Sequence, residues 1–571
     1  MSPWQLPPRT TGDIRLVRTG LPAIREDLRD CPAGIAVRTR PLVRQDPRPP
    51  RAATPWETFA LGPLMTALDR IEHYRLPENL VLDELHGSQG TFGNRSRPVH
   101  AGLLAWTTAA VSHWRAAREA NLADLRAGGR PVTYPVDEHW VVRDLLREPD
   151  DRGAALYERT AWGRRYTSPC GTVRELWLLS LGSAKEDRPD AEIAAAAHVA
   201  MFGEPCATAR YGSAHEPISP HLLHPARTAR PERVRVIAVG CGDGSSAVLA
   251  DWDESTTRDR YRRHAAPALA RVVSRTARTP ASTCAKCPAI AGCHDLHRAP
   301  GVLGAPEPPR RRERRTVSVS DLRAHAACPA RYHLTRVLHL RSPRPESEAV
   351  RRGRAVDDWL NEQHARLPHR PCEHEPGPAT PQAWAERGFA LGPQASRTAS
   401  LMIAQHAWTC PLDGLEPDET VSVQHQLAVY DEPLDTIVIA TPDLVHTRAG
   451  GTVLRETKTA STPPRGDQPL LRRWPQLALS VLLLDAGAVG DPSRSRVELE
   501  ILYEEDSEVR SIDPALPHVV GEARQVITEL AGAWTSDATY TARPGRACAD
   551  CEALDWCRPG LDHTATQEQR D

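Results

Sequence analysis

Apolar residues in this chain follow two rhythms. Where they recur every three or four positions they predict helices, at 101–126 and 191–203 in the first half and at 380–408, 470–485 and 517–533 in the second. Where they form short β-branched blocks bounded by Gly or Asp they predict strands. RVRVIAVGCGDGSSAVLADW at 233–252 reads as a hairpin turning on Gly-Asp-Gly, and RVELEILYEEDSEVRSI at 496–512 is its counterpart. Strands mixed with helices in this order predict an α/β or α+β core, a mixed sheet flanked by helices.

The order of features occurs twice. DLRDCPAG near residue 30 and DLRAHAACPARYHL around Cys328 are each followed by a helical stretch, from Gly62 and from Gly353. GTVRELWLLSLG at 171–182 answers GTVLRETKTAST at 451–462. Val234 precedes Cys284 by 50 positions, and Val497 precedes Cys548 by 51. Between the two series lies APGVLGAPEPPRRRERRT at 299–316, rich in Pro and Arg and without apolar periodicity, which reads as a linker. Two tandem domains are expected, 1–298 and 317–571.

Cysteines punctuate both copies. Cys284, Cys287 and Cys293 stand as C-x2-C-x5-C, and so do Cys548, Cys551 and Cys557. A lone Cys-Pro lies far upstream of each set, at Cys31 and at Cys328. Four thiolates suit tetrahedral zinc or a [4Fe–4S] cluster, and spacing does not separate the two. For the first set the alternative is a partial zinc knuckle of Cys284 to Cys293 with His294. Cys170, Cys206, Cys241, Cys372 and Cys410 read as ordinary core or loop residues.

Composition narrows the picture. At 571 residues the chain has room for two to four domains, and its net charge of −1 excludes a global positive field. No run of 18 apolar residues predicts a membrane span. MSPWQLPPRTTG lacks a basic-then-apolar signal pattern, so a cytoplasmic location is expected, where clustered thiols favour metal over disulfide. Of 72 basic residues only Lys185, Lys286 and Lys458 are lysines. A lysine kept against that bias marks a place where a compact ammonium serves and a wide guanidinium fork does not.

One of the three sits in TIVIATPDLVHTRAGGTVLRETKTA at 436–460. TIVIA is a β-rich run, and Ala-Gly-Gly is a turn between extended segments. Asp443 is expected to end one strand of a hairpin, with Glu456 and Lys458, two apart, on one face of the next. Asp443 and Glu456 offer hard oxygen ligands suited to Mg²⁺ or Mn²⁺. Such a metal would lower the pKa of a bound water, and Lys458 could orient the attacking water beside it. The chemistry that wants this set is phosphodiester hydrolysis.

These residues resemble the PD-(D/E)xK nuclease core of RecB-type enzymes, over about 317–560. The resemblance implies a restriction-endonuclease-like fold and a DNase, an exonuclease acting on single strands or ends. It assigns Gln476 to the Q-x-x-x-Y motif, with Ser480 where Tyr is usual, as a residue positioning metal, water or backbone. It assigns Asp357, in Gly353 to Asp357, to the place of a metal-binding His. It also implies that Cys328, Cys548, Cys551 and Cys557 hold the iron–sulfur staple of AddB-type subunits and of the CRISPR-associated RecB-like exonuclease, with Cys31, Cys284, Cys287 and Cys293 as a second such set. Aligned on Gly-Thr-Val, the first copy puts Arg174-Glu175-Leu176-Trp177 where the second has Arg455-Glu456-Thr457-Lys458, so it reads as a degenerate copy.

Arg351, Arg352 and Arg354 precede Asp357, and Arg472, Arg473 and Trp474 precede Gln476; an Arg–Trp mix of this kind suits a nucleic-acid backbone with stackable bases. No G-x-x-x-x-G-K-[ST] loop occurs, so a processive nuclease of this kind would need a helicase partner. Repair, recombination and phage defence all use the fold. The competing class is a non-catalytic, nucleic-acid-binding or scaffold subunit of a helicase–nuclease complex. VIAVGCGDGSS at 236–246 also resembles the glycine loop of methyltransferases. A hairpin turn explains it more simply, because the cysteine cluster follows too soon for the remaining βα units.

Overall fold

The computed structural model describes residues 4–569, apart from 26–29, 53, 88–96, 148–153, 210–211, 309–311, 373–376 and 463–468. Its centre is a pair of five-stranded sheets. In the first, β1 (Tyr134–Val136), β2 (Arg164–Thr167), β3 (Val173–Ser180), β4 (Arg233–Gly240) and β5 (Ser246–Asp253) lie side by side in chain order. In the second, β6 (Val421–Val423), β7 (Leu444–Arg448), β8 (Gly451–Thr459), β9 (Arg496–Leu502) and β10 (Ser507–Ile512) do the same. Neighbours are antiparallel except β3 with β4 and β8 with β9, which are parallel. A parallel step needs a crossover, and in both sheets a helix fills it.

Helices α1 (Ala101–Ala127) and α2 (Asp190–Phe202) cover the two faces of the first sheet; α3 (Glu348–Ala365), α4 (Pro393–His406), α5 (Pro475–Asp485) and α6 (Pro517–Ser536) cover the second. The crossover helices are α2 and α5. Both are apolar on nearly every side, as elements buried all round must be. Leu477 to Leu484 of α5 pack on Val497, Leu499 and Ile501 of β9, with Val526, Ile527 and Trp534 of α6 behind them. On the opposite face Ala355, Val356 and Leu360 of α3 meet Ala399, Met402 and Ile403 of α4. Among the described residues no helix is long and apolar enough to cross a membrane.

The predicted helix at 380–408 is two helices, Pro381–Glu386 and α4, because Gly388, at φ +86°, and Gly392-Pro393 break the run. The segment 470–485 is likewise interrupted, Leu470–Arg473 giving way to α5 at Pro475. The hairpin expected at 233–252 is β4–β5, with Gly244 at φ +76° in its turn. No helix follows that turn directly, which removes the methyltransferase reading.

Among the described residues there are also a short two-stranded sheet, Thr10–Thr11 with Arg44–Gln45, and two four-stranded ones. One joins His297–Arg298, Leu427–Asp431, Thr436–Ala440 and Arg315–Ser318. The stretch read as a linker is therefore anchored at both ends in a sheet formed with the second half. Its arginines are occupied too: Arg314 donates to Asp435 at 2.7 Å, and Arg315 lies 3.3 Å over the Trp534 ring. Residues 309–311 of its basic run lie outside the described residues.

The halves also interlock through their cysteine segments. Cys284, Ile290 and Leu296 pack with Ala428, Tyr430, Ile437 and Ile439 of the second half. Cys551, Ala553 and Leu554 share a core with Leu103, Trp106 and Trp114 of α1. Gly102 allows that approach, since a Cβ there would meet Leu334 at 2.6 Å and the Trp556 carbonyl at 2.8 Å.

Candidate active site

The sequence rule that side chains alternate along a strand places Leu454, Glu456 and Lys458 of β8 on the face covered by α5. Asp443 does not end the TIVIA strand as expected. Thr436–Ala440 belongs to the smaller sheet, and Asp443 stands at the crossing between sheets, just before β7 begins. The turn Ala449-Gly450, at φ +49° and +73°, then returns the chain so that Leu444 faces Arg455, bringing Asp443 beside Glu456. The Lys458 ammonium lies 2.8 Å from Glu456 Oε2 and 3.3 Å from Asp443 Oδ2, and it donates to the Thr457 carbonyl at 3.0 Å. Asp443 is held from both sides, accepting from the Thr457 N–H at 2.7 Å and from Gln424 Nε2 at 3.0 Å. Gln424 was not foreseen, and no spacing rule marks it.

Asp357 reaches this site from α3. Gly353, one turn earlier, lets the helix approach the end of β8, where a Cβ would stand 3.0 Å from Thr459 Oγ1. Burial, and then the Asp443 charge, push Asp357 up to about 6. Burial pushes Glu456 up to about 7, against the pull of Lys458 and with help from Asp443 and Asp357. Burial works against the Lys458 charge, but Asp443 and Glu456 outweigh it and hold the ammonium above its ordinary range. With all three carboxyls ionised, they and the ammonium leave two negative charges in a partly desolvated place. That residual charge and an all-oxygen donor set fit a hard divalent cation.

A stability consequence follows from Glu456. Its folded value lies above its ordinary value of 4.5, so its stabilising contribution is full below about pH 4.5 and lost as pH rises through about 7. In divalent-free buffer, Glu456→Gln should therefore melt above wild type at pH 8, by about 2–4 °C, with the gap closing at pH 5. Saturating Mn²⁺ should reverse the sign at pH 8, because only wild type gains the ligand. Melting curves at the two pH values, with and without Mn²⁺, check both parts.

Among the described residues the first five-stranded sheet carries no such set. In β3 it is Arg174, Leu176 and Leu178 that face α2, with Leu176 and Leu178 in an apolar cluster with Ala194 to Met201. Glu175 and Trp177 face α1 instead. Pairing them with Glu456 and Lys458 is thus one residue out of step, and a one-residue slip exchanges the faces of a strand. Sheet register gives the better match. Glu175 is paired across the parallel step with Arg235, and Arg455 with Glu498. Each is a buried ion pair, at 2.5 and 2.6 Å, with the signs exchanged between the copies.

Glu175 also accepts from Arg118 at 2.9 Å, Thr133 at 2.8 Å and Trp177 at 3.1 Å. Burial is outweighed by Arg118 and Arg235, which hold its carboxyl below the usual range. Removing it would leave Arg118 buried without its counter-charge and Arg235 with only Asp251, 3.9 Å away. Glu175→Ala should lower stability by about 3 kcal/mol. Calorimetry should show that loss.

The thiols of each set are near enough to influence one another. Cys328 lies between Val319–Ala327 and Pro329–Tyr332 and accepts from the Arg543 N–H at 3.4 Å; Cys548 accepts from the Gly545 N–H at 3.4 Å. Burial first, and then Cys328, Cys551 and Cys548, push the Cys557 thiol up. In the first half Cys31 accepts from the Gly34 N–H at 3.3 Å and Cys284 from the Ala281 N–H at 3.4 Å. Burial, with Cys31, Cys287 and Cys293 adding to it, raises Cys284 to about 12. Among the described residues no three sulfurs of either set lie within 4.8 Å of one another, whereas four residues elsewhere bring their donor atoms that close: His364, Cys372, His406 and Cys410. Cys372 and Cys410, expected as ordinary core or loop residues, belong to that group. A cavity of about 1250 Å³ lies beside Cys31, Cys287 and Cys293, not at the carboxylates.

The remaining expected residues are less concentrated. Gln476 is half-buried in the first turn of α5 and makes no side-chain hydrogen bond among the described residues, and Ser480 is buried at 1 %. Arg472 is paired with Glu529 at 2.7 Å, and Arg473 stacks 4.9 Å from the Trp474 ring. Arg354 pairs with Glu346 at 2.7 Å, Arg351 donates to the Glu346 carbonyl at 2.9 Å, and Arg352 reaches Ser461 at 3.4 Å.

Residues 316–558 match the family described as the PD-(D/E)XK nuclease superfamily, over less than half of the chain. This segment has a mixed α/β architecture consistent with the restriction-endonuclease-like fold, and the superfamily that it matches hydrolyses phosphodiester bonds with divalent metals. No curated protein matches the chain. Among solved structures, a protein designated SSO0001 is similar at 14% identity and a TM-score of 0.22, over 43% of this chain and 87% of its own. A protein from Eubacterium rectale whose name includes the word exonuclease is similar at 12% identity and a TM-score of 0.25, over 37% of this chain and 77% of its own.

Proposed function

We propose that residues 317–571 are a divalent-metal-dependent DNA exonuclease acting on single strands or ends, and that residues 1–298 are a degenerate copy of the same domain, joined through 299–316. The observation that carries this is the meeting of Asp443, Glu456 and Lys458 within hydrogen-bond reach, with Asp357 charging the same site. Asp443, Glu456 and Asp357 would hold Mg²⁺ or Mn²⁺, which supplies charge neutralisation and a more acidic water. Lys458 has its ammonium free to turn among three acceptors and would orient the attacking water and offset charge on the phosphate. Thr457 N–H and Gln424 fix the Asp443 carboxylate, so that it need not reorganise during the reaction. Gln476 would meet the strand or its water at the mouth of α5. Arg472 and Arg354 would exchange their carboxylate partners for phosphates, and Arg473 with Trp474 would receive a base.

In this reading both cysteine sets hold [4Fe–4S] clusters, Cys328, Cys548, Cys551 and Cys557 in one and Cys31, Cys284, Cys287 and Cys293 in the other. A single zinc draws its four sulfurs to about 3.8 Å of each other, given Zn–S bonds of about 2.3 Å. Wider sets suit a multi-iron cube, and backbone N–H donors to sulfur are what such clusters use. The work would lie in DNA repair, recombination or phage defence, beside a helicase that supplies the strand.

The test is degradation of end-labelled single-stranded DNA with Mg²⁺ or Mn²⁺ and without either. Metal-dependent loss of label supports the reading. Binding without cleavage under all conditions would support the second reading, a non-catalytic subunit of a helicase–nuclease complex, which the replacements Asp357 and Ser480 favour.

A further inference from the structure

Two turns of α3 separate Asp357 from His364, which lies buried on the far side of the second sheet. There four donor groups converge. His364 and His406 bring their Nε2 atoms within 3.1 Å, and Cys410 Sγ lies 3.9 Å from His364 Nε2. Cys372 completes the set, with all four donor atoms within 4.8 Å of one another. His364, His406 and Cys410 are buried and Cys372 is half-buried.

We propose that His364, Cys372, His406 and Cys410 form a structural zinc site, separate from both cysteine clusters and from the carboxylates. Two thiolates and two neutral imidazoles cancel the charge of Zn²⁺, which makes the site electroneutral and suited to burial. His406 is the last residue of α4, and the tight turn Ala407–Thr409 that follows it brings Cys410 back beside the His364 ring. The supporting contacts point the same way. His406 Nδ1 is bonded to Glu500 Oε1 at 2.8 Å, which fixes the ring and directs Nε2 into the cluster. Thr409 also holds Glu500 Oε1, at 2.6 Å, and Arg455 stands 3.8 Å away, so that carboxylate has its own partners. Without a cation, two ring nitrogens and two sulfurs would face one another inside a core with at most a few protons to share.

The site has a mechanical consequence. It ties α3, the segment at Cys372 and the end of α4 to β9. Glu500 Oε2 in turn accepts from Thr457 Oγ1 at 2.9 Å, and Thr457 lies between Glu456 and Lys458 on β8. Zinc would thus brace both the helix that carries Asp357 and the strand that carries the other reactive groups, from behind the sheet.

Metal analysis and zinc X-ray absorption on the purified full chain test this without any appeal to activity. Wild type is expected to retain about one zinc per chain after dialysis, with two sulfur and two nitrogen neighbours. Cys372→Ser, at the least buried ligand, should lose that zinc while iron stays unchanged, and Cys551→Ser should lose iron while zinc stays. Four sulfur neighbours around zinc would overturn the assignment by placing the metal in a cysteine cluster. So would a zinc-free wild type, or a Cys372–Cys410 disulfide found by peptide mapping of the untreated protein. Failure here leaves the nuclease reading standing, since that rests on a different set of residues.

Discussion

Lys458→Ala should reduce DNA degradation about 10³-fold at saturating Mn²⁺, with single-strand binding nearly unchanged. The expected size is that of removing one positioned charge or proton-transfer group from a transition state. The split between turnover and affinity follows from geometry. Lys458 contacts Asp443, Glu456 and the Thr457 carbonyl, at 3.3, 2.8 and 3.0 Å, and lies apart from the arginines that would meet the strand. Mn²⁺ affinity should stay the same or rise, because the variant removes the ammonium that competes for the same carboxylates. Loss of turnover without loss of metal distinguishes a role in the reaction from collapse of the site. Lys458→Arg should recover little, less than tenfold, since a planar fork cannot take the place of a compact ammonium among three close acceptors. Titration of Mn²⁺ by calorimetry beside a single-turnover assay measures both. Wild-type turnover in Lys458→Ala would remove Lys458 from the mechanism and with it the nuclease reading.

How much of this was legible in the sequence depended on distance along the chain. Local signals were read well. The Gly-Asp-Gly hairpin, the Leu-rich helix after Pro475 and the Ala-Gly turn before Glu456 each depend on a handful of neighbours. The repeat order pointed to two similar sheets, and the strand directions agree step for step. What failed was register. Matching Arg174-Glu175 to Arg455-Glu456 opens a one-residue gap after Gly-Thr-Val, and at a period of two that gap sets Glu175 against Glu456 although they lie on opposite faces. Without the gap Glu175 falls on Arg455, and the partner strands agree, through the Glu175–Arg235 and Arg455–Glu498 pairs. The His364, Cys372, His406 and Cys410 group was missed for a related reason. Its members span three separate segments with no short repeat, and the sequence does not say that α3 and α4 pack side by side.

The second large effect is expected from Cys551→Ser. If each cysteine set holds a four-iron cluster, as proposed, the purified variant should contain about half the iron of wild type. It should also unfold at a markedly lower temperature, for two additive reasons. Cys328 and the Cys548 segment close a loop of about 220 residues, and in the chain-entropy account a cross-link of that span is worth about 5 kcal/mol. The segment also belongs to the neighbouring half's core: Cys551, Ala553 and Leu554 share a buried cluster with Leu103 and Trp106 of α1. Releasing it opens that shared core, so protease cleavage should appear in both halves, not the second alone. Cys170→Ser, at an exposed thiol outside both sets, should change neither iron nor melting temperature. Cys284→Ser should repeat the pattern in mirror image, halving iron and loosening the sheet that contains Tyr430 and Ile437. If Cys551→Ser kept the full iron content and wild-type melting, the four thiols would be neighbours without a common ligand, and the halves would be held together by apolar packing alone.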